Sequence, residues 1–217
     1  MIHTHRSPNF DDRKLPLSLL ILHYTGMQTG AAALERLCQA EAKVSAHYLV
    51  EEDGRVFALV DESKRAWHAG LSYWRGITDI NSASIGIEIV NKGHEFGYHP
   101  FPQAQMESVR DLCREIIARH NIEPRNVIGH SDIAPERKQD PGELFDWQWL
   151  AKNGVGLFPR ASNHTAQSTQ LTEYGYNPAI PLSATITAFQ RHFRPSLLNG
   201  VWDDECASIL AALLKTV

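Results

Sequence analysis

Four consecutive large apolar residues, Leu19-Leu20-Ile21-Leu22, run straight into a histidine, His23. So apolar a run reads as a buried strand, which commits the chain to a covered sheet with an imidazole at the strand's C-terminal end. Ile85, Ile87 and Ile89 alternate with Gly86, Glu88 and Val90. That is the period of two of a strand with one strongly apolar face, and it turns Glu88 to the other face. Met106, Val109, Cys113, Ile116, Ile117 and His120 recur at helical spacing, predicting an amphipathic helix over 103–120 that Pro124 stops. Val127-Ile128-Gly129 reads as a short strand delivering His130. Segments 45–50 and 56–60 flank an Asp53-Gly54 hairpin signal, and 31–42 reads as a helix. Strands and helices so interspersed predict an α/β domain, a mixed central sheet flanked by helices, over residues 1–152.

From Asn153 the character changes. Gly154, Gly156, Pro159 and the polar run 162–169 have linker composition, placing a linker over 153–168. Helical patterns at 185–193 and 203–215 then predict a small all-helical module over 169–217. A length of 217 residues suits one or two such units. A net charge of −4 argues against a nucleic-acid partner, which needs a basic face. No stretch approaches the ~20 apolar residues of a membrane span. Ser7, Asn9, Asp11 and Asp12 precede the first apolar run, so no secretory signal is read, and a cytoplasmic location is expected if Met1 is the natural start. The three cysteines, Cys38, Cys113 and Cys206, are expected as buried free thiols on helices. Eleven histidines point instead to nitrogen and oxygen ligands for any metal.

The chemistry concentrates in Gly129–Gly142. His130 ends a strand, and Lys138 and Asp140 follow on the same loop eight and ten residues later. A catalytic zinc site uses three protein ligands and keeps one position open. His130 and Asp140 supply two, and His23 is the best-placed third. Taken singly, Asp140 before Pro141 could start a turn, Lys138 could be a solvated charge and Glu88 an exposed strand residue.

The segments Ile21-Leu22-His23-Tyr24-Thr25, Ser45-Ala46-His47-Tyr48, Ala66-Trp67-His68-Ala69-Gly70, Ser84-Ile85-Gly86-Ile87-Glu88 and Gly129–Gly142 together carry a resemblance. The chain resembles the zinc-dependent N-acetylmuramoyl-L-alanine amidases of the type-2 amidase fold, in their two-domain form. The C-terminal match lies in Tyr174-Gly175-Tyr176, Ala188-Phe189-Gln190, His192-Phe193-Arg194-Pro195 and Asn199-Gly200. The resemblance implies one zinc ion per chain, held by His23, His130 and Asp140, with Glu88 as acid/base and Lys138 stabilising developing charge. The bond cut would be the amide between N-acetylmuramic acid and L-alanine in peptidoglycan or muropeptides, in wall turnover or recycling. The alternative is a peptidoglycan-recognition protein of the same fold that binds without cutting. His47 is expected to be structural, Trp67 and His68 to line the substrate groove, and Arg75 to meet peptide carboxylates. The helical module is expected to bind peptidoglycan, with Tyr174, Tyr176 and Phe193 as possible sugar-facing rings, although Phe189 and Phe193 at i, i+4 also suit a core. A monomer is expected. Envelope relatives of this form carry a lipoprotein signal, so a periplasmic or outer-membrane-anchored location is the alternative if a leader has been removed.

Overall fold

The computed structural model describes residues 2–216. In chain order the strands and helices are β1 (Ile2–Thr4), β2 (Phe10–Asp12), β3 (Leu19–Tyr24), α1 (Gly30–Cys38), β4 (Tyr48–Val50), β5 (Val56–Ala58) and β6 (Lys64–Ala66). They continue as α2 (Ile80–Ala83), β7 (Ser84–Ile89), α3 (Gly93–Phe96), α4 (Gln103–His120), β8 (Val127–Gly129) and α5 (His130–Ile133). The chain ends in α6 (Trp147–Lys152), α7 (Leu171–Tyr174), α8 (Leu182–Phe193) and α9 (Asp204–Leu214). Six strands form a mixed sheet in the order β1-β5-β4-β7-β3-β8. The central pairs β4/β7, β7/β3 and β3/β8 are parallel, and the β4/β5 hairpin is antiparallel.

Strand parity decides what each face does. Leu20, Leu22, Ile85, Ile87 and Ile89 pack with Met106, Val109, Leu112 and Ile116 of α4, so the amphipathic helix covers one face. Leu19, Ile21 and Ile128 point the other way and share a core with Tyr176, Phe189, Phe193 and Leu210 from the C-terminal helices. The segment expected as a separate module is thus packed directly on the sheet, and within the expected linker Val155 and Ala166 are buried. Tyr174 and Tyr176 are 1% and 0% exposed, which overturns their reading as sugar-facing rings; Phe189 and Phe193 are core.

α4 has the expected bounds, but its stop is Asn121 in the left-handed region (φ 51°), whose N–H donates to Ile117 O, rather than Pro124. α1 ends at Cys38, short of Ala42. Ser7 Oγ donates to Leu37 O, and Asn9 Nδ2 donates to Gln39 O at 2.7 Å, so side chains from the N-terminal segment take the carbonyls a longer helix would use. The loop after His130 opens with the helical turn α5, because Asp132 accepts a 2.8 Å hydrogen bond from Gly129 N–H and caps it. Cys38, Cys113 and Cys206 are free. Among the described residues no helix is long and apolar enough to cross a membrane.

Candidate active site

The ladder brings the first two groups together. In the parallel β3/β7 register His23 lies opposite Glu88, so both side chains rise from the same face of adjacent strands, on the face away from α4. β8 lies on the other side of β3, and His130 follows immediately at its C-terminal end. The loop beyond α5 folds back, with Ser131 N–H donating to Asp140 O at 2.9 Å, and returns Asp140 beside His130.

His23 Nδ1 lies 2.9 Å from His130 Nδ1 and 3.0 Å from Asp140 Oδ2, and His130 Nδ1 lies 3.0 Å from the same oxygen. All three residues are buried. His130 Nε2 faces Ala69 O at 3.1 Å. A carbonyl only accepts, so the neutral ring carries its proton on Nε2 and turns a bare Nδ1 towards the cluster. Donor atoms converging in this way could hold a metal ion. Donors ~2.0–2.1 Å from one tetrahedral zinc lie roughly 3.3 Å apart, so this spacing and this nitrogen–oxygen set fit a zinc ion with an open fourth position.

Electrostatics sharpen the roles. Burial, with His130 second, brings the His23 imidazole down to about 4, with Asp140 partly opposing. Burial alone would raise Asp140, but His130 and His23 hold its carboxyl well below the usual range. Burial first and the Asp140 charge second push Glu88 well above the usual carboxylate range, against the pull of Lys138. Glu88 opens on the cleft at one edge, while Oε2 is sealed with no hydrogen-bond partner among the described residues.

Glu88, His130 and Asp140 line one cleft of about 720 Å³, shared with Lys138, Trp67 and His68, while His23 is buried. Sequence reasoning missed Tyr24, Arg36 and Arg137, which line it too. Tyr24 directly follows His23 and Arg137 directly precedes Lys138, so both were within reach, but Arg36 on α1 carried no local signal. His68 lines the cleft yet its ring is tied inward, to His23 and Ser84. Arg75 is not among the described residues lining the cleft: its Nη1 donates to Tyr174 O at 3.0 Å, bracing the C-terminal segment. His47 is fully buried and accepts the Gly86 N–H on Nδ1 at 3.0 Å.

A buried His-His-Asp cluster that could hold a metal ion lies beside a carboxylate, at the C-terminal ends of parallel strands where such folds place their sites. Sequence comparison gives the class. The profile of the N-acetylmuramoyl-L-alanine amidase family matches residues 13–143, and the chain belongs to that family and is an enzyme of it. It is 39% identical to N-acetylmuramoyl-L-alanine amidase AmiD of Escherichia coli, across 92% of this chain and 83% of that protein. It is 35% identical to 1,6-anhydro-N-acetylmuramyl-L-alanine amidase AmpD of Haemophilus influenzae, across 66% of this chain and 86% of that one. The structure of E. coli AmiD in complex with the substrate anhydro-N-acetylmuramic acid-L-Ala-D-gamma-Glu-L-Lys superposes with a TM-score of 0.81, covering 92% of this chain and 89% of that one at 39% identity. AmpDh3 of Pseudomonas aeruginosa superposes with a TM-score of 0.83 over 92% and 91% of the two chains, at 34% identity. The mixed sheet flanked by helices is the fold of these amidases.

Proposed function

We propose that this amidase is zinc-dependent, binds one zinc per chain through His23, His130 and Asp140, and cleaves the amide between N-acetylmuramic acid and L-alanine in muropeptides or peptidoglycan. The convergence of two bare imidazole nitrogens and a carboxylate oxygen at 2.9–3.0 Å carries this reading. Zinc in that position supplies Lewis-acid polarisation of the scissile carbonyl and lowers the pKa of a water towards ~7. Glu88, the register partner of His23, takes the water's proton and returns it to the leaving alanine nitrogen. Lys138, on the same cleft, stabilises the carbonyl oxygen as it gains charge. Trp67 lines the sugar or peptide path, and Arg36 and Arg137 give the cleft positive charge for the stem peptide's carboxylates. Helices α7–α9 brace the cleft; a glycan-binding role for them would fall to surfaces other than the buried Tyr174, Tyr176 and Phe193.

The test is mass spectrometry of defined muropeptides incubated with the enzyme as purified, after chelation, and after zinc is restored. Free stem peptide that disappears with chelator and returns with zinc is expected. Unchanged hydrolysis in the fully chelated protein would sink the zinc assignment.

A further inference from the structure

Two hydrogen-bonded chains leave the metal cluster and end on the same turn. On the first, Ser84 Oγ lies 2.6 Å from Ile80 O, a pure acceptor, so the hydroxyl proton is spent there. Ser84 then offers only lone pairs to His68 Nε2, 3.1 Å away, so His68 carries its proton on Nε2 and leaves Nδ1 bare. That bare nitrogen faces His23 Nε2 at 3.0 Å, so His23 must donate from Nε2, which leaves His23 Nδ1 free for a cation. The second chain is shorter. His130 Nε2 donates to Ala69 O at 3.1 Å, with the same outcome at His130 Nδ1. His68 and Ala69 are neighbours, and one atom fixes both: Asn81 Oδ1 accepts from His68 N–H at 3.0 Å and from Ala69 N–H at 2.8 Å. Ser84, Asn81 and His68 are 0%, 8% and 9% exposed, so water does not substitute for these partners. The packing is made for the ring: a Cβ at Gly86 would sit 2.5 Å from His68 Cγ.

We propose that His68 and Ser84 are positioning residues of the metal centre, with Asn81 holding the turn that serves both ligand imidazoles. Together they impose the tautomer in which His23 and His130 each present Nδ1. The inference rests on the zinc reading above. It assigns His68 a task different from lining the groove for substrate. A ligand histidine's outer partner is usually a carboxylate, carbonyl or water, and removing it typically lowers metal affinity 10–100-fold. Here the partner of His23 is a second neutral imidazole, which acts as an acceptor only while Ser84 holds its proton on the far nitrogen.

The experiment is chelator-competition measurement of zinc affinity for the wild-type chain, His68→Leu and His68→Asn, with metal-free melting temperatures alongside. Asn Oδ1 falls where His Nδ1 stood and keeps the acceptor; Leu fills the space without one. A loss of about 10–100-fold in His68→Leu, with most of the affinity recovered in His68→Asn, is expected. Equal affinity in all three would overturn the inference, as would equal losses in both variants. Ring-nitrogen NMR of the zinc-loaded wild-type chain decides the matter even if a variant does not fold. His68, His23 and His130 protonated on Nε2 support the proposal, and His68 protonated on Nδ1 refutes it. A wild-type chain that binds no zinc at all would instead remove the reading on which the inference rests.

Discussion

Glu88 is held in a state that its surroundings disfavour, with a sealed Oε2 and a carboxyl pushed well above its ordinary value by burial. A carboxyl raised in the folded state stabilises the fold below the unfolded value of ~4.5 and loses that contribution as pH rises. Glu88→Gln keeps the shape without the charge. Its metal-free melting temperature is therefore expected to match wild type near pH 4 and to exceed it at neutral pH, by about 2–4 °C per kcal/mol relieved. Its hydrolysis rate should fall ~10²–10⁴-fold with zinc retained, measured by muropeptide assay and metal analysis. Lys138→Ala tests the neighbouring charge: kcat is expected to drop by orders of magnitude with zinc content unchanged, and simultaneous zinc loss would mark Lys138 as structural. Strand parity and the 130–140 loop spacing brought His23, Glu88, His130 and Asp140 into view as candidates, and the family resemblance, not the spacing, suggested their roles. The tautomer-fixing partners were not legible. Ser84 and Asn81 are small polar residues with no periodic signal, and only the fold shows that they meet a ring.

At the scale of elements, the residue entering β4 is a buried imidazole, His47. His47 accepts from Gly86 N–H and its Nε2 lies 3.0 Å from Lys64 O, so it ties β4 to β7 and to the β6 segment. Burial brings its pKa down to about 3. A histidine depressed in this way loses stability on acidification, because the unfolded chain takes up a proton below ~6.5 that the folded chain refuses. The expected slope from this residue is about 1.4 kcal/mol per pH unit between those two values. Urea melts of the metal-free chain from pH 7 to 4 should show it, and His47→Gln should flatten it. Long apolar or amphipathic elements, β3, β7 and α4, were readable from periodicity. The small β2/β6 sheet was not, since Phe10-Asp11-Asp12 and Lys64-Arg65-Ala66 look like exposed loop. Its pairing is written across the strands instead: Asp12 opposes Lys64 and Asp11 opposes Arg65, with contacts of 2.7 and 3.2 Å.

At the scale of the whole molecule, the C-terminal helices and the metal loop form one body. Asp132, two residues past His130, accepts Tyr176 OH at 2.6 Å and lies 2.8 Å from His192 Nδ1, whose ring stacks on Trp147 at 3.9 Å. Composition set a linker and a separate helical module beyond Asn153, and it could not show that Leu19, Ile21, Ile128 and Ile133 share their core with those helices. A chain ending at 152 is therefore expected to bind a hydrophobic dye strongly and to lose its cooperative thermal transition. A sharp transition near the full-length value would show that the sheet covers itself. Register supplies a last consequence. His23 and Glu88 sit opposite each other in a parallel ladder, so their separation is set by the interstrand spacing of ~4.8 Å, a constant of β-structure, and not by any loop. The spacing of that ligand imidazole and the acid/base carboxylate is thereby uncoupled from the loops, whereas Asp140 and Lys138 ride on the 130–140 loop and depend on its length. Cleft segments outside that loop can be lengthened, shortened or exchanged to suit a different wall fragment, while the His23–Glu88 spacing beneath stays fixed.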